Sequence, residues 1–84
     1  MKVTLKLFAT LTDYLPAEVR KRRALELDLA PGTTITEVIE SQKLPGKLCH
    51  LVLIDGLFVP PKERARRALA EGETLAIWPP IAGG

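Results

Sequence analysis

The sequence predicts an α+β domain, a mixed sheet of about five strands covered by one main helix. Three observations predict it. Residues 2–8, KVTLKLF, and 74–78, TLAIW, alternate with the period of a half-buried strand. Residues 31–46, PGTTITEVIESQKLPG, combine a helix start signal with an apolar stripe. Asp55-Gly56 separates two apolar runs, a two-residue hairpin signal.

Each element follows from local chemistry. In the first strand Val3, Leu5 and Leu7 share one face, and Lys2, Thr4 and Lys6 the other. The second, ALELDL at 24–29, alternates through Leu25, Leu27 and Leu29. Between them Leu11, Tyr14 and Leu15 have helical spacing, but Pro16 stops anything long, so a turn of helix and a loop are expected. In the main helix Thr34 and Glu37 have capping-box spacing, and Ile35, Val38 and Ile39 form the stripe. Pro45 and Gly46 are expected to end it. HLVLI, 50–54, reads as a buried strand, and LFV, 57–59, as a short edge strand cut off by Pro60 and Pro61. KERARRALAEGE is a polar connection anchored by Leu69 and turning at Glu71-Gly72. TLAIW closes the sheet with Leu75 and Ile77 inward.

Two hairpins flanking one helix give a β-grasp layout, in which the first and last strands lie parallel and adjacent in mid-sheet. Residues 1–78 form the domain and 79–84 a flexible tail. The 84 residues, 46% hydrophobic and 26% charged, are an ordinary globular balance. A net charge of +2 is too small to imply nucleic acid. One cysteine, Cys49, excludes an internal disulfide, and one histidine, His50, argues against a metal site. No signal-peptide core and no run of about 20 apolar residues appears, so no membrane role and a cytoplasmic location are expected.

Alternation puts Phe8 and Trp78 on the outer face, at the same end of two parallel neighbours. They form a partner-binding patch, extended by Leu57 after the turn, or else cover one another or tuck under the 9–23 loop. Beyond Trp78 the chain reads PPIAGG. Pro79 and Pro80 favour an extended exit. Six residues reach roughly 20 Å at full extension. Gly83 and Gly84 fit a channel too narrow for a Cβ, and the tip offers only the α-carboxylate of Gly84. An ATP-dependent enzyme can turn that group into an acyl adenylate, which sulfide or a persulfide then converts to a thiocarboxylate.

KVTLKLFATL, PGTTITEVIE, LVLIDGLFV and above all EGETLAIWPPIAGG resemble the MoaD/ThiS family of ubiquitin-like sulfur carriers, in particular its molybdopterin synthase small subunits. The resemblance implies that Gly84, with Gly83, is the functional terminus, adenylated by an E1-like enzyme and then thiocarboxylated. It implies insertion of the tail into a large subunit, where the sulfur builds the dithiolene of molybdopterin. Phe8, Leu57 and Trp78 resemble its hydrophobic contact positions, and Pro79, Pro80 and Ile81 of the tail are expected to bind the partner with them. The chain would bind no cofactor or metal itself, ATP being used by the activating enzyme, and it would be a carrier and co-substrate rather than an enzyme. The turn reads Asp-Gly where the family usually has Asn-Gly, and the runs 20–23 and 64–67 are unusually basic.

Blander readings stand beside these. The basic runs are solvated loops, or they steer an acidic partner. Cys49, just before a buried strand, is an inert thiol rather than a persulfide acceptor. Other functions remain open: sulfur delivery to thiamine thiazole or tRNA, a protein modifier joined through Gly84, or an interaction module with an inert tail.

Overall fold

The alternating residues at the start form β1, Lys2–Leu7, in a computed structural model that describes residues 1–80. The other strands are β2 (Ala24–Asp28), β3 (Leu51–Ile54), β4 (Leu57–Phe58) and β5 (Thr74–Trp78), with one α-helix, α1 (Ile35–Ser41). Their order across the sheet is β2-β1-β5-β3-β4. β1 and β5 are parallel and every other pair is antiparallel, as the β-grasp layout requires. Val3, Leu5 and Leu7, Val52 and Ile54, and Leu75 and Ile77 turn to one face and are buried with Ile35 and Val38 of α1.

The capping box at the start of α1 is complete. The Glu37 N–H donates to Thr34 Oγ1 at 3.2 Å, and the Thr34 N–H to Glu37 Oε1 at 2.8 Å. The next orphan donors are met by the far loop: Ile35 N–H bonds the Arg67 carbonyl and Thr36 N–H the Arg64 carbonyl. The helix is shorter than the sequence suggests. It stops at Ser41, not at Pro45-Gly46, because Lys43 turns left-handed (φ 58°). The Leu44 N–H then bonds the Ile39 carbonyl and the Lys43 N–H that of Glu40, a Schellman turn, and Leu44 is buried.

Other expectations are refined. The 9–23 segment is two 3₁₀ turns, Ala9–Tyr14 and Ala17–Arg22, divided at Leu15-Pro16. Leu11, Leu15 and Val19 are buried, while Tyr14 is exposed. β3 is not buried on both faces: Val52 and Ile54 face the core, but Leu51 and Leu53 face away. The Asp55-Gly56 turn has both residues at positive φ (49° and 85°), the type I′ geometry that suits a two-residue hairpin. Leu69 is buried as the loop anchor.

Candidate functional site

The parallel pairing Leu7↔Ile77 fixes where the sheet's outer aromatics go. Phe8 follows β1 directly and Trp78 ends β5. Their rings stack with centroids 4.1 Å apart and planes within 2°. Both are half-buried, so they cover one another and still present ring surface to solvent.

Trp78 pairs across β3 with Leu51, which is 36% exposed. One row further, Ala76 pairs with Leu53, and Leu53 with Phe58, which is 57% exposed. The outer face thus carries a continuous apolar band: Phe8, Trp78, Leu51, Leu53 and Phe58. Leu57 is not part of it. It pairs with the core-facing Ile54 and is two residues from the buried Val59, so it belongs to the helix side, where it is 74% exposed. Leu51, Leu53 and Phe58 were missed because HLVLI reads as a uniformly apolar run. Parity counted back from the hairpin turn would have found them.

The exit of the chain is pinned. The Phe8 N–H bonds the Ile77 carbonyl at 3.3 Å, and the His50 N–H the Trp78 carbonyl at 3.0 Å. Pro79 is buried and Pro80 exposed. Ile81, Gly83 and Gly84 lie outside the described residues.

Behind this exit stands Arg64, which the sequence placed in a solvated run. It is 8% exposed. Its Nη1 donates to the Cys49 carbonyl at 2.7 Å and its Nη2 to the His50 carbonyl at 3.0 Å, while its buried Nε has no partner among the described residues. Burial lowers the guanidinium's proton affinity. Burial likewise pushes the Cys49 thiol up, against the opposing pull of Arg64. The thiol donates to the Pro45 carbonyl at 3.5 Å, so Cys49 is a buried, protonated group and unsuited to accept sulfur.

Other basic residues also have structural duties. Arg67 forms a 2.7 Å ion pair with Glu73. Arg20 donates to the Leu15 and Asp13 carbonyls. Lys21, Arg22, Arg23 and Arg66 remain exposed. Among the described residues no cluster of three or more His, Cys, Asp or Glu is placed to hold a metal, and no helix is long and apolar enough to cross a membrane.

No curated protein matches the chain significantly. The ThiS family model matches residues 6–84. Among solved structures the chain is similar to the Haloferax volcanii HVO 2177 protein, at 26% identity and a TM-score of 0.75, over 100% of this chain and 87% of that one. It is similar to a putative molybdopterin converting factor, subunit 1, from Pyrococcus furiosus, at 21% identity and a TM-score of 0.69, over 96% and 99% of the two chains. It is also similar to small archaeal modifier protein 1 of H. volcanii, at 23% identity and a TM-score of 0.63, over 95% and 98%. A β-grasp sheet with its first and last strands side by side, and a family match from β1 to the terminal glycine, lead to one assignment: the chain belongs to the ThiS family of ubiquitin-like sulfur carriers.

Proposed function

We propose that the protein carries sulfur as a thiocarboxylate on Gly84 and donates it in molybdopterin biosynthesis. The observation that carries the reading is the pairing of a fixed exit with a bare terminus. Trp78 is stacked and hydrogen-bonded, Pro79 is buried, and the sequence then runs out to Gly83-Gly84. An E1-like enzyme would spend ATP to join the Gly84 carboxylate to AMP, releasing pyrophosphate. Sulfide would then displace AMP and leave the thiocarboxylate. A large synthase subunit would supply the catalytic groups for transfer, after which water restores the carboxylate. The apolar band from Phe8 to Phe58 is the surface such partners would cover. Family membership and the likeness to a converting-factor subunit support this acceptor.

A second reading is a modifier conjugated through Gly84, favoured by the likeness to a small archaeal modifier protein. Intact-mass measurement after incubation with ATP, a sulfur donor and soluble host extract separates the two. The carrier reading expects one oxygen replaced by sulfur, mapped to Gly84 and lost on deletion of Gly83-Gly84. Target-linked ladders without that shift would favour the modifier. An unchanged mass and no target-linked ladders, beside an active control carrier, would overturn both.

A further inference from the structure

We infer that the outer edge of β2 docks an extended segment of a partner protein, which adds to the sheet as a sixth strand with a cationic side chain opposite Glu26. β1 and β2 pair from Lys2↔Asp28 to Lys6↔Ala24. The Leu29 N–H donates to the Met1 carbonyl at 2.8 Å, and the Leu7 N–H to the Arg23 carbonyl at 3.1 Å. Those two bonds fix the alternation of the ladder. The odd-numbered residues of β2 bond to β1, whereas Ala24, Glu26 and Asp28 aim their N–H and C=O groups away from the sheet. Among the described residues, the Ala24 carbonyl alone of these groups has a partner, Arg22 Nε at a long 3.4 Å.

An open edge is a template for another strand, and folded proteins usually blunt it with proline, a bulge or charged side chains, lysine above all. The opposite edge is blunted: β4 has two residues and runs into Pro60-Pro61. β2 has five residues in unbroken register, with no proline or lysine; its two charges are Glu26 and Asp28, and Asp28 is paired with Lys2 and the Met1 amine, which leaves Glu26 to select the strand that docks. On the helix side Leu25 and Leu27 are only half-buried, and a strand laid outside β2 would finish covering them. On the other side a hollow of about 470 Å³ is lined by Thr4, Arg22, Ala24 and Glu26. Neither Arg22 nor Glu26 has an ion-pair partner among the described residues.

These features describe the occupant. Read antiparallel to β2, it has apolar residues opposite Leu25 and Leu27, a cation opposite Glu26, and an anion opposite Ala24 within reach of Arg22. A second copy of this chain is a poor match, because the register that pairs the whole strand sets Glu26 against Glu26.

The test is a titration of the isotope-labelled full chain with a capped peptide, Gly-Thr-Val-Lys-Val-Glu-Gly, followed by amide shifts and hydrogen exchange. Shifts should concentrate on residues 23–29, and exchange at Ala24, Glu26 and Asp28 should slow several-fold at saturation. Replacing the peptide's lysine with glutamate should abolish both effects, and Glu26→Lys should restore binding to that altered peptide. If Glu26→Lys does not fold, the two peptides on the unaltered chain still measure the charge preference. Shifts elsewhere, no shift at millimolar peptide, or indifference to the lysine-to-glutamate change would overturn the proposal. Protection of the same amides by raising protein concentration alone would assign the edge to a second copy, and would overturn it too.

Discussion

Arg64 holds the backbone carbonyl of Cys49 at 2.7 Å from inside the protein, with no carboxylate paired to it among the described residues. It reaches the next carbonyl as well, that of His50, whose N–H in turn bonds Trp78. One buried cation therefore ties the loop before β5 to the strand that guides the chain out of the sheet.

Arg64→Met should destabilise the fold by about 1–3 kcal/mol. Two charge-assisted bonds are lost, each worth about 1.5–3 kcal/mol, while relief of a desolvated charge offsets part of that. Urea denaturation measures it. A variant as stable as the parent would show that desolvation cancels both bonds.

Thr34→Ala should cost about 1 kcal/mol by removing the capping-box hydroxyl from Glu37 N–H. Thermal melts of the variant read this directly, and Thr34→Ser should retain most of the stability.

Under the proposed carrier function, Phe58→Asp should weaken association with an E1-like activating enzyme by about tenfold or more, because Phe58 lies in the outer apolar band. Leu57→Asp, on the helix side, should do less although Leu57 is the more exposed of the two. Pull-down or calorimetry with that enzyme distinguishes them. Equal losses would mean that the partner wraps around the β4 edge.

Acid sensitivity should pass through Glu73. A hydrogen bond from Arg67 holds its carboxyl below the usual range, with the Ala70 N–H assisting. A folded-state pKa below the unfolded one gives stability that is present above about pH 4.3 and lost as pH falls through the folded value. Solvent reaches the pair, so the contribution is at most about 1 kcal/mol. Glu73→Gln should flatten the acid limb of a plot of urea midpoint against pH.

At the alkaline end the sign reverses for Cys49, whose folded pKa is raised by burial. Its contribution is complete below about pH 8.5 and lost as pH climbs through the folded value. Cys49→Ala should remove that alkaline decline, whatever it costs at neutral pH through lost packing.

The sequence revealed parts of this molecule unevenly. Alternation put Phe8 and Trp78 on the outer face, because side-chain parity along a strand is a local property, and the expected β-grasp layout set them side by side. The capping box and the Asp-Gly turn were legible for the same reason. Three features depended on distant residues. α1 ends at Ser41 through a left-handed Lys43 that no glycine announces. β3 is open on one side because none of the described residues covers Leu51 and Leu53 fully on that face, which a run of four apolar residues cannot reveal. Arg64 looked like one more member of a basic run, since its acceptors are at Cys49 and His50. The terminal glycines were singled out by composition and family resemblance, with no contact required to find them.

The central pairing of β1 with β5 also sets how the fold can assemble. Thr4 meets Thr74 and Leu7 meets Ile77, so the middle of the sheet joins residues 70 positions apart in the chain. Such long loop closure delays folding, and a nascent chain lacking β5 has no central strand to organise around. A chain interrupted before β5 therefore loses at one stroke the strand that joins the two halves of the sheet and, with Trp78, half of the stacked aromatic pair on its outer face.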